Sequence, residues 1–445
     1  MEVCLERAIH RVVNLISDED QSILNMSVEA ARDRLVRNPE SLDDVQGSFA
    51  LVARDGENVL MARSLDRPLR YFLAKQAEGP MLVVADRIDA IRKRLEAEGY
   101  GDQFHPTYTR MVPAHHVTTL RLIGCPDPNP SQRRFFNPPR ETLPPDLDLI
   151  GELYVGALMK ETSDWLAAQD GSEPIGVCFS GGIDSGAVLV ALERCLRAAG
   201  QSPARLKAFT LQVGEGGEDA RQALEFLRRT NLEMLGEIVE VEPECLDPLR
   251  AVEVIEDYKP LDVECATVGL ALLEEVRRRY PSWRLLVDGD GGDENLKDYP
   301  IEDNPELTIR SVVNNLMLYH EGWGVDAVKH SLTYSGGLSR GTVRTYAPAR
   351  TLGFSGFSPF TCPSVVAVAE AIPFDALSKG SHEQLYELKG EVVRRGMKRV
   401  LDIDFPVFPK RRFQHGVADE GLFERIFSRS PMAYRRHFLE LHASS

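Results

Sequence analysis

The sequence predicts an α/β protein of two unequal parts: an N-terminal α+β domain built on antiparallel sheet, then a doubly wound parallel-sheet domain ending in a helical region. Three observations predict it. Up to residue 124, short apolar runs are separated by turn residues. After residue 147, apolar strands alternate with helical periodicity, and such units build a parallel sheet with helices on both faces. Between them, CPDPNPSQRRFFNPPRETLPPDL (125–147) holds seven prolines. Proline lacks the N–H that a helix interior or central strand needs, so this stretch reads as a linker. The expected organisation is a domain at 1–124, a linker at 125–147 and a domain at 148–445.

In the first domain, GSFALVARDG and ENVLMARS flank Asp55-Gly56, a hairpin signal. PLRYFLA, PMLVVADR and YTRMVPAHHVTTLRL continue as strands, and helices are expected at 27–37 and 87–98. The second domain opens with a periodic helix, DLIGELYVGALMKETSDWLAA. Strand IGVCFS then leads into helix DSGAVLVALERCLRAAG, closed by Gly200. LKAFTLQV, EIVEVE and WRLLVDG are further strands, with helices EDARQALEFLRRTN and VGLALLEEVRRRY between them. Ligands of such a sheet bind at the carboxyl ends of its strands.

Composition excludes several classes. No run of about 18 apolar residues exists, and MEVCLERAIHRVVNLISDED lacks a signal-peptide apolar core, so a cytoplasmic protein off the membrane is expected. Seven scattered cysteines without a CxxC pair argue against disulfides and structural zinc. A net charge of -16 repels nucleic-acid phosphates, so no nucleic-acid partner is expected. The one compact basic cluster, KRR at 410–412, is a solvated surface or a local anion site.

FSGGIDSG, at the end of IGVCFS, brings glycines and a helix N-terminus together. Glycine lets backbone approach a ligand, and the helix end offers unpaired N–H groups and a positive dipole, so the turn suits phosphate. A glycine-rich turn with an N-cap acid is the alternative. Asp184 beside a phosphate implies Mg²⁺. Neither GxxxxGK[ST] nor GxGxxG is present here. A second acidic turn, LLVDGDGGDENLKDY (285–299), also follows a predicted strand and carries Asp288, Asp290, Asp293 and Glu294. A solvated turn or a calcium loop competes with a shared site, although the EF-hand spacing is not met.

SGGIDS resembles the pyrophosphate loop of the N-type ATP pyrophosphatases, whose fold is adenine-nucleotide α-hydrolase-like. DGDGGDE, about 105 residues on, resembles the matching turn of the asparagine synthetase family, which also holds the β-lactam synthetases. SPF at 358–360, AEAIPF at 369–374 and PKRRF at 409–413 are similar to its C-terminal motifs. The resemblance implies an ATP-dependent, AMP-forming ligase that adenylates a small-molecule carboxylate for attack by an amine. It implies pyrophosphate on Ser180, Gly181, Gly182 and Ser185, Mg²⁺ on Asp184 and Asp293, and nucleoside near Leu211 and Gly289. Asp290 aligns with the acid that handles the amine, Lys389 with the lysine stabilising the acyl centre, and Lys410 with a contact to leaving pyrophosphate. Gly186 stands where the family often has Ser or Thr.

The first domain resembles the glutaminase (Ntn-hydrolase-type) domain of asparagine synthetases. That domain needs an N-terminal cysteine whose α-amine is the base, but this chain starts Met-Glu-Val-Cys, and the glutamine-binding Arg-Gly-Pro-Asp and Asn-Gly-Glu segments are missing. A degenerate domain with a packing or self-association role, as in a homodimer, is expected, with the amine not drawn from glutamine. The alternatives are a sulfur-transfer or nucleobase-modifying enzyme of the same superfamily, for which Cys178 is the cysteine in question although its place in the strand points it into the sheet, a glutamine- or ammonia-dependent asparagine synthetase-like enzyme, and a non-enzymatic scaffold that kept the fold.

Overall fold

A computed structural model describes residues 7–9, 11–75, 80–124, 130–214, 217–298, 308–313, 342–408 and 420–443. The chain divides into two units: residues up to Asn137 join a segment starting at Arg435, and Pro138 to Tyr434 make the core of the second.

In the first unit the predicted hairpin forms, but its two turn residues are Gly56-Glu57, with Asp55 ending the first strand. Ala50–Asp55 and Asn58–Arg63 pair antiparallel from Ala50↔Arg63 to Asp55↔Asn58. His116–Arg121 and then Ser131–Arg134 extend this sheet. A second sheet runs Arg11–Asn14, Met81–Ala85, Arg70–Ala74, Arg110–Met111. Its pair Arg11–Asn14 and Met81–Ala85 is parallel, so the unit is mixed rather than wholly antiparallel. Both sheets feed one core, in which Ala50, Val59, Met61, Tyr71, Val84 and Leu120 are buried. The helices Val28–Arg37 and Ile88–Ala97 lie where their periodicity places them. Ser27 caps the first by accepting from the Ala30 N–H.

The proline-rich stretch differs from the expected linker. Ser131–Arg134 is a strand paired with His116–Arg121, because SQRR keeps four consecutive N–H groups between the prolines, enough for an edge strand. Farther on, the Glu141 and Leu143 N–H groups donate to the Glu370 and Ala371 carbonyls. The unit boundary therefore falls after Asn137 rather than at 124.

The second unit holds a five-stranded, all-parallel sheet: Gly236–Val241, Leu206–Val213, Ile175–Cys178, Leu285–Val287, Ser355–Phe357. Numbered along the chain, the strands lie in the order 3-2-1-4-5. The winding reverses beside Ile175–Cys178, and such a switch point leaves a crevice at the strands' carboxyl ends. SGGIDS and DGDGGDE leave the two strands that flank it. Helix Ile183–Ala198 is buried along most of its length, with Val188, Leu189 and Leu192 in the core. Helix His382–Leu401 packs on helix Leu147–Ala167 so closely that a Cβ at Gly151 would lie 2.6 Å from the Val392 carbonyl oxygen. Among the described residues, no helix is long and apolar enough to cross a membrane.

Candidate active site

The first turn is built to keep its own polar groups in order. Gly181 takes φ +73 and lies against helix Asp219–Thr230, where an added Cβ would sit 2.7 Å from the Ala223 backbone. Only glycine meets both conditions. Gly182 caps the helix without a side chain, so the helix end stays open at that residue. Ser180 and Ser185 hydroxyls lie 3.2 Å apart, the Ser180 N–H donates to Ser185 Oγ, and the Gly182 N–H donates to Ser180 Oγ. The pyrophosphate candidates thus cluster in one turn.

Gly186 also has a steric reason. A Cβ there would lie 2.5 Å from the Phe226 ring. That ring is held edge-on by Phe179 at 5.5 Å and Phe405 at 5.3 Å. The volume of a Ser or Thr is taken by this aromatic packing.

The second turn closes on the first. A Cβ at Gly289 would stand 2.8 Å from Ser185 N, and one at Gly292 would overlap the Asp184 carboxylate. Gly292→Ala is expected to cost roughly 1–3 kcal/mol through this overlap, read by urea unfolding. Stability within about 0.5 kcal/mol of wild type would show that Asp184 does not pack on the second turn.

Between the turns stands Lys389. It is 3% exposed. Its Nζ donates to Asp184 Oδ2 at 2.5 Å, contacts Asp293, and lies 3.3 Å from Asp298. Burial alone would lower the lysine, but Asp184, Asp293 and Asp298 hold it well above its usual range. The short contact is that of an ammonium with a carboxylate. Burial pushes Asp184 up, to about 7, against the pull of Lys389. Asp184 Oδ1 is buried with no hydrogen-bond partner.

Asp290 lies in a different cluster. Its N–H donates to Asp288 Oδ1 at 2.9 Å, and the Ser358 hydroxyl donates to the same oxygen at 2.6 Å. Burial and Asp288 raise the Asp290 carboxyl well above the usual range, while Arg344 and Thr345 pull it back. Arg344 Nε lies 3.8 Å from Asp262 Oδ1, and its guanidinium also feels Glu294 and Asp290.

The motif SPF acts through Ser358 on Asp288 and through the Phe360 carbonyl, which accepts from Asn295 at 2.8 Å. Glu370 of AEAIPF binds the buried Lys297 at 3.4 Å and Arg140 at 2.9 Å. Both C-terminal motifs thereby brace the second turn. Leu211 lies on the strand Leu206–Val213, beyond Phe209, where pairing with Ile175–Cys178 ends. Lys410 and PKRRF lie outside the described residues, as does Cys4. Cys178 packs against the core, and burial raises its thiol well above the usual range, which gives a sulfur-transfer role no reactive thiolate.

Sequence reading missed Asp298 and Arg344. The first is one more acid of an acidic stretch and the second a lone arginine. Only the fold brings them to Lys389 and Asp290.

The residues fit a divalent cation of the Mg²⁺ kind. Such an ion is held by one or two carboxylates together with substrate phosphates rather than by a protein cage. Asp184, with its orphan Oδ1, and Asp293 are two such carboxylates, converging on one ammonium beside the serine–glycine turn. Among the described residues no group of three or more His, Cys, Asp or Glu side chains could hold a metal by itself.

Residues 167–341 match the family model described as asparagine synthase. The match contains both turns and the strands that carry them. No curated protein matches the chain. An asparagine synthase domain is that of an ATP-dependent, amide-forming ligase.

Proposed function

We propose, from an asparagine synthase domain at 167–341, that the chain adenylates a substrate carboxylate and passes the acyl group to an amine, releasing AMP and pyrophosphate. The supporting observation is the meeting of Asp184 and Asp293, from two turns at one switch point, on a single buried lysine. In this reading the Ser180–Ser185 turn binds the β- and γ-phosphates through main-chain N–H groups and hydroxyls. Asp184 and Asp293 would hold Mg²⁺, which when bound offsets the charge of the leaving pyrophosphate. Main chain at Leu211 and Gly289 would meet the nucleoside, and Lys410 the pyrophosphate. Lys389 keeps a positive charge beside the phosphates and the acyl centre.

Asp290 would orient the attacking amine and take its proton. Burial and Asp288 raise this carboxyl above the ordinary carboxylate range, which makes it a stronger base than an ordinary carboxylate. Because the glutamine-binding Arg-Gly-Pro-Asp and Asn-Gly-Glu segments are missing from the sequence, the amine in this reading comes from the substrate or a second small molecule. Amide formation in specialised metabolism suits this better than asparagine supply. The first unit then acts by packing or self-association, as a shortened relative of an Ntn-type domain.

ATP–pyrophosphate exchange over a panel of carboxylic acids tests the reading. Exchange stimulated by particular acids is expected, with Asp290→Asn keeping exchange while amide formation falls by about 10²–10⁴-fold. Absence of both AMP and pyrophosphate formation across acids and amines would refute it.

A further inference from the structure

Lys389 touches three carboxylates, and only two of them belong to the set that would hold a cation. The third, Asp298, is the most enclosed: its side chain is 6% exposed, against 20% for Asp184 and 33% for Asp293. It follows the short helix Gly292–Leu296, and its N–H donates to the Asp293 carbonyl at 3.1 Å. Lys297 makes this return possible by taking φ +57. Two acids five residues apart thus reach one ammonium.

A divalent cation and an ammonium repel each other strongly inside a low-dielectric site. A cation taken up by Asp184 and Asp293 therefore removes two partners from Lys389 and pushes it away. The lysine sits on a helix packed tightly against Leu147–Ala167, so its stem cannot follow the charge far. An ammonium left there with no carboxylate would be an uncompensated buried charge, which proteins tolerate poorly.

Building on the ligase reading, we propose that Asp298 is a positioning residue: it retains Lys389 in the site when Asp184 and Asp293 turn to a divalent cation. The lysine passes from three carboxylates to one. It remains a cation beside the phosphates instead of leaving for solvent, and Asp298 makes cation binding compatible with its presence.

Mn²⁺ binding to the full chain, followed by electron paramagnetic resonance with and without a non-hydrolysable ATP analogue, tests this by a double-mutant cycle. Asp298→Asn is expected to weaken Mn²⁺ by about tenfold. In a Lys389→Met background the same change is expected to move it by less than about twofold. An equal fall in both backgrounds would mean that Asp298 acts on the ion by charge alone and would overturn the proposal. So would unchanged affinity in Asp298→Asn.

A measurement on the wild-type chain does not depend on the variants folding. With ¹⁵N-lysine, the Lys389 ammonium is expected to stay protected from exchange when Mg²⁺ and the analogue are added, and passage into fast exchange would overturn the anchor. Failure of the wild type and of Lys389→Met to bind Mn²⁺ even with nucleotide would instead refute the ligase reading and the proposal with it. Metal binding without Lys389–Asp298 coupling refutes only the anchor.

Discussion

Asp184→Asn is expected to lower acid-stimulated ATP–pyrophosphate exchange by roughly 10²–10³-fold, the usual loss when one preorganised charge-stabilising group is removed. The substitution keeps the shape of the side chain, including the oxygen that faces the second turn, and removes only the charge. Lys389 retains Asp293 and Asp298, so its ammonium is not stranded. Stability is therefore expected to change far less than activity, and a denaturation curve run beside the exchange assay separates the two. Exchange at wild-type rates in Asp184→Asn would show that the carboxylate at the switch point takes no part in phosphate chemistry.

Glu370→Ala is expected to destabilise the second unit by about 3–5 kcal/mol, the cost of breaking a buried ion pair by removing one partner. Lys297 is 1% exposed and depends on Glu370 at 3.4 Å. Burial already lowers the lysine, and Glu370 works against that shift. Arg140 loses its 2.9 Å partner in the same step. Tryptophan fluorescence follows the transition well, because Trp165 and Trp283 belong to this unit. Replacing both members, as in Glu370→Leu with Lys297→Met, is expected to recover most of the loss, since a packed apolar pair of similar volume avoids the desolvation cost. A single substitution that leaves the midpoint unmoved would contradict the buried network.

How much of this was legible follows from what each feature depends on. The parallel sheet and the place of both turns are written locally: apolar strands, glycines and acids recur at strand ends, and chain order constrains topology. Lys389 was named through the resemblance alone; that it lies at i+4 from Leu385 and i−4 from Val393 among the buried residues of its helix is seen in the structure. The partners were not visible. Asp184 and Asp293 stand in the first turns of two helices and Asp298 follows the second of them; the resemblance named the first two, but no local pattern tied any of the three to Lys389. The edge strand Ser131–Arg134 was hidden for another reason: proline density dominates the window around it, while its pairing is decided by a neighbouring strand.

The composition of the first unit bears on the order in which the protein is made. Ring contacts join Phe104 to His442 at 6.5 Å and Phe438 to His442 at 4.9 Å, and Phe438 is fully buried. The residues that complete this unit are translated only after the whole second unit has been synthesised. Domains generally fold from the N-terminal side as the chain emerges, but here the first unit to emerge is the last to be finished. The Phe104 ring therefore gains its His442 contact only after the second unit has been synthesised.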